Sequence, residues 1–212
     1  MSKLSLELDA QVRRAVSILK QGGVVVYPTD TVYGLGAAMD QPAAINRIFE
    51  IKERPRGMAL PLLLSDIHQV ALITGSVPPA AMKLARAFFP GALTIILPKS
   101  AAVPDAITAG ARTVAFRVPA HPVALALIKG VGMPVVGTSA NRSGQPSALT
   151  ASEAAAQIGG KVDMIIDGGR SPGGTESTII DLAGEKPVIR RQGAITFAKI
   201  RLILPETIPV EE

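Results

Sequence analysis

Short runs of β-branched and aliphatic residues alternate with segments of helical apolar spacing along almost the whole chain, which restricts the fold to a sheet covered by helices. The run Val24 to Val26 opens the series as a buried strand leading straight into a turn of Pro28, Thr29, Asp30 and Thr31. Before it, Asp9 is expected to cap a helix whose apolar positions Val12, Ala15, Val16 and Leu19 end at Gly22 and Gly23. After it, Asp40 and Pro42 start a helix that reaches Lys52. Strands are expected at 61–64, 93–97, 113–117, 134–136, 164–167, 178–182 and 187–190, and helices at 66–73, 79–88, 122–128, 151–158 and 197–204. The late strands are too closely spaced for crossover helices, so antiparallel neighbours are expected among them.

One domain over residues 8–204 is expected, followed by a loosely held, proline-punctuated tail at 205–212. Hydrophobic residues make up 48% and aromatics only 3%, so the core must be mostly Val, Ile, Leu and Ala. No apolar run reaches membrane-spanning length, and Glu7 and Asp9 precede any apolar stretch, unlike a secretory signal. A soluble, cytoplasmic protein without membrane partners is expected. With no cysteine and two histidines, zinc chemistry is not expected. The formal net charge of +5 favours anionic partners, and the scarcity of aromatics confines any RNA contact to phosphates.

The residues that can carry chemistry gather at strand and helix ends. Thr29 to Thr31 place hydroxyls at a strand terminus, where ligands commonly bind in α/β sheets. Lys52, Arg54 and Arg56 fan out from a helix end at Pro55, either as a solvated basic patch or as an anion site. As surface residues, Lys52 or Arg54 replaced by alanine should alter stability by no more than about 0.5 kcal/mol. The 137–147 loop is dense in hydroxyls and can wrap a phosphate or ribose, or serve as a plain polar loop. Four glycines between Gly168 and Gly174 permit close backbone approach to a ligand. Arg117, Arg190 and Arg191 add guanidinium groups suited to phosphate and carboxylate oxygens. There is no Walker-type loop, no complete dinucleotide fingerprint and no Gly-x-Ser-x-Gly elbow. The residues alone therefore define an anion-binding α/β domain with several hydroxyl-rich loops.

Taken together, Pro28-Thr29-Asp30-Thr31-Val32-Tyr33-Gly34-Leu35-Gly36, Lys52-Glu53-Arg54-Pro55, Ser139-Ala140-Asn141 with Ser143-Gly144, Ser177-Thr178-Ile179-Ile180-Asp181 and Arg191-Gln192-Gly193 resemble the YrdC-like threonylcarbamoyladenylate synthases. The resemblance covers about Leu8 to Ile200. It implies an α/β fold with a twisted mixed parallel and antiparallel sheet and flanking helices around a basic cavity. It also implies a nucleotidyltransfer that joins L-threonine, bicarbonate and ATP into threonylcarbamoyl-AMP and pyrophosphate. The product would pass to threonylcarbamoyl-transferase proteins for threonylcarbamoyladenosine modification of tRNA. By the same resemblance Thr31, Thr138 and Ser177 face threonine, and Lys52, Arg54, Arg117, Ser139, Asn141, Ser147 and Arg191 face ATP. Lys52, Arg54, Ser139 and Asn141 carry the catalytic role. Magnesium is expected with the phosphates, although no carboxylate cluster marks its place. Two departures stand out: Ser65 lies near where some members carry a threonine-contacting histidine, and longer members append a C-terminal domain. A carbamoyl-transfer domain of the hydrogenase-maturation type and a non-enzymatic double-stranded RNA- or tRNA-binding or ribosome-assembly factor are the alternative readings.

Overall fold

The computed structural model describes residues 4–210. Helix α1 (Leu6–Lys20) starts ahead of the expected cap, because the Ser5 side chain accepts from the Leu8 amide and Asp9 lies inside the first turn. The corresponding helices α2 (Pro42–Lys52), α3 (Pro79–Phe88) and α5 (Pro122–Val131) each begin on proline, where the missing N–H is no loss. A short helix α4 (Asp105–Thr108) was not expected, and the segment read as a helix at 66–73 is a 3₁₀ turn over Ile67–Leu72.

Helix α6 (Ala151–Ile158) starts at the expected cap, with the reciprocal bond shifted by one residue: Thr150 accepts from the Glu153 amide at 3.1 Å, and the Glu153 carboxylate reaches past the cap to accept from the Leu149 amide at 2.6 Å. Thr150→Ala is expected to lower the unfolding free energy by about 1 kcal/mol. Urea denaturation reads this directly, and an unchanged midpoint would mean that packing of Ala154 and Ile158 alone sets the helix start.

The expected mixed pairing divides between two sheets. In the first, β1 (Val25–Tyr27) lies between antiparallel β2 (Gly34–Gly36) and parallel β8 (Met164–Ile165), with β7 (Thr138–Ser139) beyond β2. The second contains β3 (Leu62–Leu63), β4 (Leu93–Pro98), β5 (Thr113–Arg117), β6 (Val135–Val136), β9 (Thr178–Asp181) and β10 (Val188–Arg191), in the order β10-β9-β4-β5-β3-β6. The late antiparallel pair is β9 and β10. Gly137 carries the chain from β6 in one sheet to β7 in the other. A Cβ there would lie 2.3 Å from Leu63 Cγ, so only glycine lets the sheets meet this closely. The Tyr27 hydroxyl donates to the Val136 carbonyl across the same junction at 3.3 Å.

The core is aliphatic, as the composition requires. One cluster fills the space around both sheets, and a second packs α1 and α5 against β1. Helix α7 (Phe197–Ile203) adds Ile200 to the first cluster. The stretch expected as a loose tail is instead tied down. Thr207 is buried, the Ile208 amide donates to Pro187 O at 2.8 Å, and Ile208 O accepts from the Ile189 amide at 3.0 Å. That pairing adds backbone hydrogen bonds along β10, and Glu211 and Glu212 lie outside the described residues.

Candidate functional site

Strand alternation builds the floor of the site. In β4, Leu93, Ile95 and Leu97 point into the core while Thr94 and Ile96 point the other way. In β5, Ala115 and Arg117 oppose Val114 and Phe116, and around β9 Ser177 and Ile179 oppose Thr178 and Ile180. The outward set floors a cavity of about 650 Å3, walled by Thr31 and Val32, the end of α2, the 137–147 loop, Glu176 and Arg191. Every candidate side chain lines this one space: Thr31, Lys52, Arg54, Arg117, Thr138, Ser139, Asn141, Ser147, Ser177 and Arg191. Ser65 does not; it borders a separate small groove with Asp66 and Phe89.

One end of the cavity is organised by Arg117, which is 5% exposed. Its Nη2 donates to Thr29 Oγ1 at 3.1 Å and to Thr31 Oγ1 at 3.0 Å, and lies 3.3 Å from Asp30 Oδ1. Neither Asp30 Oδ1 nor Arg117 Nη1 has a hydrogen-bond partner, so Asp30 supplies charge contact and Nη1 keeps an unused N–H. Burial lowers the Arg117 pKa and the Asp30 charge opposes that shift; the group stays cationic. Beside it, Ser177 Oγ shares a 2.8 Å hydrogen bond with Thr94 Oγ1, and Arg191 Nη2 donates to Ser177 O at 2.8 Å. A β-bulge between Ile189 and Arg191 turns Arg191 inward, while Arg190 points out to Asp181 at 2.9 Å.

At the other end Lys52 is not the surface residue expected: it is 1% exposed. Glu53 takes the left-handed conformation (φ 53°) and ends α2 there, leaving Lys52 pointing inward. Its Nζ donates to Ser139 O at 2.5 Å, Asn141 O at 2.8 Å and Asn141 Oδ1 at 3.3 Å. Burial, then the Arg54 charge, lower its pKa to about 8, and three acceptors match the three N–H bonds of an ammonium. The Asn141 amide nitrogen donates to Arg142 O at 3.0 Å and Gln145 O at 2.6 Å, closing the loop. Lys52 and Asn141 thus shape the turn that presents Ser139 and Ser143. Arg54 Nη2 donates to Ala59 O at 3.1 Å, whereas its Nε is buried without a partner.

Sequence reading missed Glu176, Thr94, Ile96 and Ala115 as lining residues. The period-two pattern of β4 and β5 carried the signal for the last three; Glu176 had only its place beside Ser177. It misread the glycines at 168–174, none of which lines the cavity. Two of them seat the loop on the turn after β1 instead: a Cβ at Gly168 would lie 2.7 Å from Pro28 Cγ and one at Gly173 2.5 Å from Asp30 O.

Residues 17–193 match the family model of the Sua5/YciO/YrdC domain, described as "Telomere recombination". The chain is 43% identical over 197 residues to a threonylcarbamoyl-AMP synthase of Bacillus subtilis, with 92% of this chain and 57% of that protein covered. It is 42% identical over 196 residues to one of Pyrococcus abyssi, with 92% and 58% covered. The crystal structure of P. abyssi Sua5 complexed with L-threonine superposes with a TM-score of 0.94 at 39% identity, over 98% of this chain and 60% of that one. The chain therefore spans somewhat over half the length of these relatives, and it belongs to the Sua5/YciO/YrdC family.

Proposed function

We propose that this chain is an L-threonylcarbamoyladenylate synthase, joining L-threonine, bicarbonate and ATP into threonylcarbamoyl-AMP with release of pyrophosphate. The observation that carries the reading is a pair of buried guanidinium N–H groups, Arg54 Nε and Arg117 Nη1. Both lack a protein partner, and both residues line one cavity. Such groups mark places for anionic ligand atoms. The end with Arg117, Thr31 and Ser177 suits an amino-acid carboxylate and hydroxyl, which moves Arg117 from the nucleotide side, where the resemblance puts it, to the threonine side because it donates to the Thr31 hydroxyl. The end with Arg54, Ser139 and Ser147 suits a polyphosphate. A cavity of about 650 Å3 lies within the range of small-molecule sites. The names of the relatives and the threonine in the P. abyssi complex support the same reading.

In this reaction the threonine amine is carboxylated, with loss of water. A carbamate oxygen then attacks the α-phosphorus as the bond to pyrophosphate breaks. No side-chain nucleophile is required. The protein holds anions together and stabilises charge that builds on the phosphates. Among the described residues no group of three or more His, Cys, Asp or Glu is placed to hold a metal. The donors present, Glu176 and Ser147, fit a magnesium ion carried mainly by the phosphates and would hold it from the protein side. Bound there, it would neutralise phosphate charge. The product would be handed on for threonylcarbamoyladenosine modification of tRNA. No helix among the described residues is long and apolar enough to cross a membrane.

Purified protein with ATP, magnesium, bicarbonate and L-threonine is expected to release pyrophosphate without RNA. Serine should be poorer by on the order of 1–3 kcal/mol in kcat/KM, for the loss of one methyl. Equal release without threonine, or release only with RNA present, overturns the synthase reading.

A further inference from the structure

A hydroxyl carries one proton and two lone pairs, so the hydrogen bonds in the turn after β1 fix which way each O–H points. Thr29 is 3% exposed and does not line the cavity. Its Oγ1 donates to Val32 O at 2.7 Å, which uses its one proton. It accepts from Arg117 Nη2 at 3.1 Å and from the Thr31 amide at 3.2 Å. Thr31 Oγ1 lies 3.0 Å away, and two hydroxyl oxygens approach so closely only with a proton between them. Thr29 has none left, so that proton belongs to Thr31. Thr31 Oγ1 also accepts from Arg117 Nη2 at 3.0 Å, which leaves it a single lone pair and no O–H for the cavity that it lines. Thr94 and Ser177 differ: their two hydroxyls share one proton across 2.8 Å, and Ser177 Oγ accepts from Arg191 Nη2 at 3.3 Å. One O–H of that pair stays free.

We propose that Thr29 is a positioning residue that selects the amino acid by hydrogen-bond polarity: it turns the Thr31 proton away from the cavity, so that Thr31 can only accept and the substrate must bring a donor to meet it. The inference rests on the threonine reading above. Threonine offers two donor groups, its amine and its side-chain hydroxyl, and in that reading the amine turns toward the phosphate end to be carboxylated. Its carboxylate matches the donors that remain, Arg117 Nη1 and the free O–H of the Thr94–Ser177 pair. The side-chain O–H is therefore the group left for Thr31. A buried acceptor without a donor is destabilising, so a side chain of the same shape that lacks the O–H is rejected.

Titration calorimetry of L-threonine, of its β-fluoro analogue 2-amino-3-fluorobutanoate and of L-valine into the whole chain tests this. Fluorine is close to a hydroxyl in size and has lone pairs but no proton. Threonine is expected to bind about 10²-fold more tightly than the fluoro analogue. Valine should bind no worse than that analogue, because fluorine sets its own lone pairs against that of Thr31. In Thr29→Val, which keeps the side-chain shape, the Thr31 proton is free to turn into the cavity, and the preference for threonine over the fluoro analogue should fall to about tenfold or less. Thr29→Ser, which keeps the hydroxyl, should hold the ratio of the unsubstituted protein. A purely structural role for Thr29 would weaken all three ligands together and leave the ratio unchanged. An unchanged ratio in Thr29→Val, or a fluoro analogue bound more tightly than valine by the unsubstituted protein, overturns the inference while leaving the threonine site intact. The second of these is read without any variant and so does not depend on how Thr29→Val folds. Failure of the unsubstituted protein to bind any of the three overturns the threonine reading and this inference with it.

Discussion

Arg117→Gln is expected to abolish threonine-dependent pyrophosphate release and to lower the unfolding free energy by about 3–5 kcal/mol, the cost of breaking a buried ion pair from one side. The guanidinium, 6% exposed, stands beside the Asp30 carboxylate, 13% exposed, and donates to both Thr29 and Thr31. Without it Asp30 keeps its charge in a poorly hydrated place and the threonine hydroxyls lose a donor. Activity and stability then separate in the double variant. Adding Asp30→Asn removes the stranded charge and should recover about half of the lost stability, whereas the free Nη1 offered to a ligand carboxylate stays lost. Urea denaturation and the threonine dependence of turnover read the two effects. A single variant with near-normal threonine dependence would place the amino acid elsewhere.

The second large effect is expected at Lys52. Lys52→Met keeps the aliphatic stem but strips donors from Ser139 O, Asn141 O and Asn141 Oδ1, each of them in the buried turn. Unsatisfied buried acceptors cost about 1–3 kcal/mol each when fully desolvated, so a loss of about 3 kcal/mol is expected in place of the near-neutral change predicted for a surface lysine. Transition-state charge stabilisation should fall with it, by about 10²–10³ in kcat. The pH dependence checks the cause. The folded pKa of about 8 lies below the ordinary 10.5, so both states hold the proton below pH 8. Between those values the unfolded chain binds a proton that the folded one has released, and stability rises with pH. Relative to Lys52→Met, the unsubstituted protein should gain stability over that window. Its kcat/KM should fall above pH 8, as the ammonium charge is lost from the free enzyme, and this limb should be missing in the variant. The same limb in both proteins would assign the titration to another group.

Much of this molecule was legible locally. The starts of α2, α3 and α5 follow from proline, the start of α6 from Thr150 and Glu153, and the course of β4, β5 and β9 from aliphatic runs. These are contacts within one turn or preferences within one strand, and the residues concerned specify them unaided. The candidate site residues were legible as types, hydroxyls and guanidinium groups at element ends, and all of them meet in one cavity.

What neighbours in sequence could not decide was who meets whom. Gly34–Gly36 and Thr138–Ser139 have little strand character of their own; they are strands because β1 and then β2 supply the pairing edge. Lys52 reads as a solvated lysine until the Ser139–Asn141 carbonyls, 87 and 89 positions away, close around its ammonium. Arg190 and Arg191 are alike in the chain, and the bulge in β10 sends one to the surface and the other to the cavity. Gly168 and Gly173 gained their purpose only when the turn after β1 was placed against them, and the tail beyond Pro205 only when β10 offered it a partner. In each case the deciding energy is burial or a hydrogen bond between residues far apart in the chain, and such partners exist only once the tertiary fold has formed.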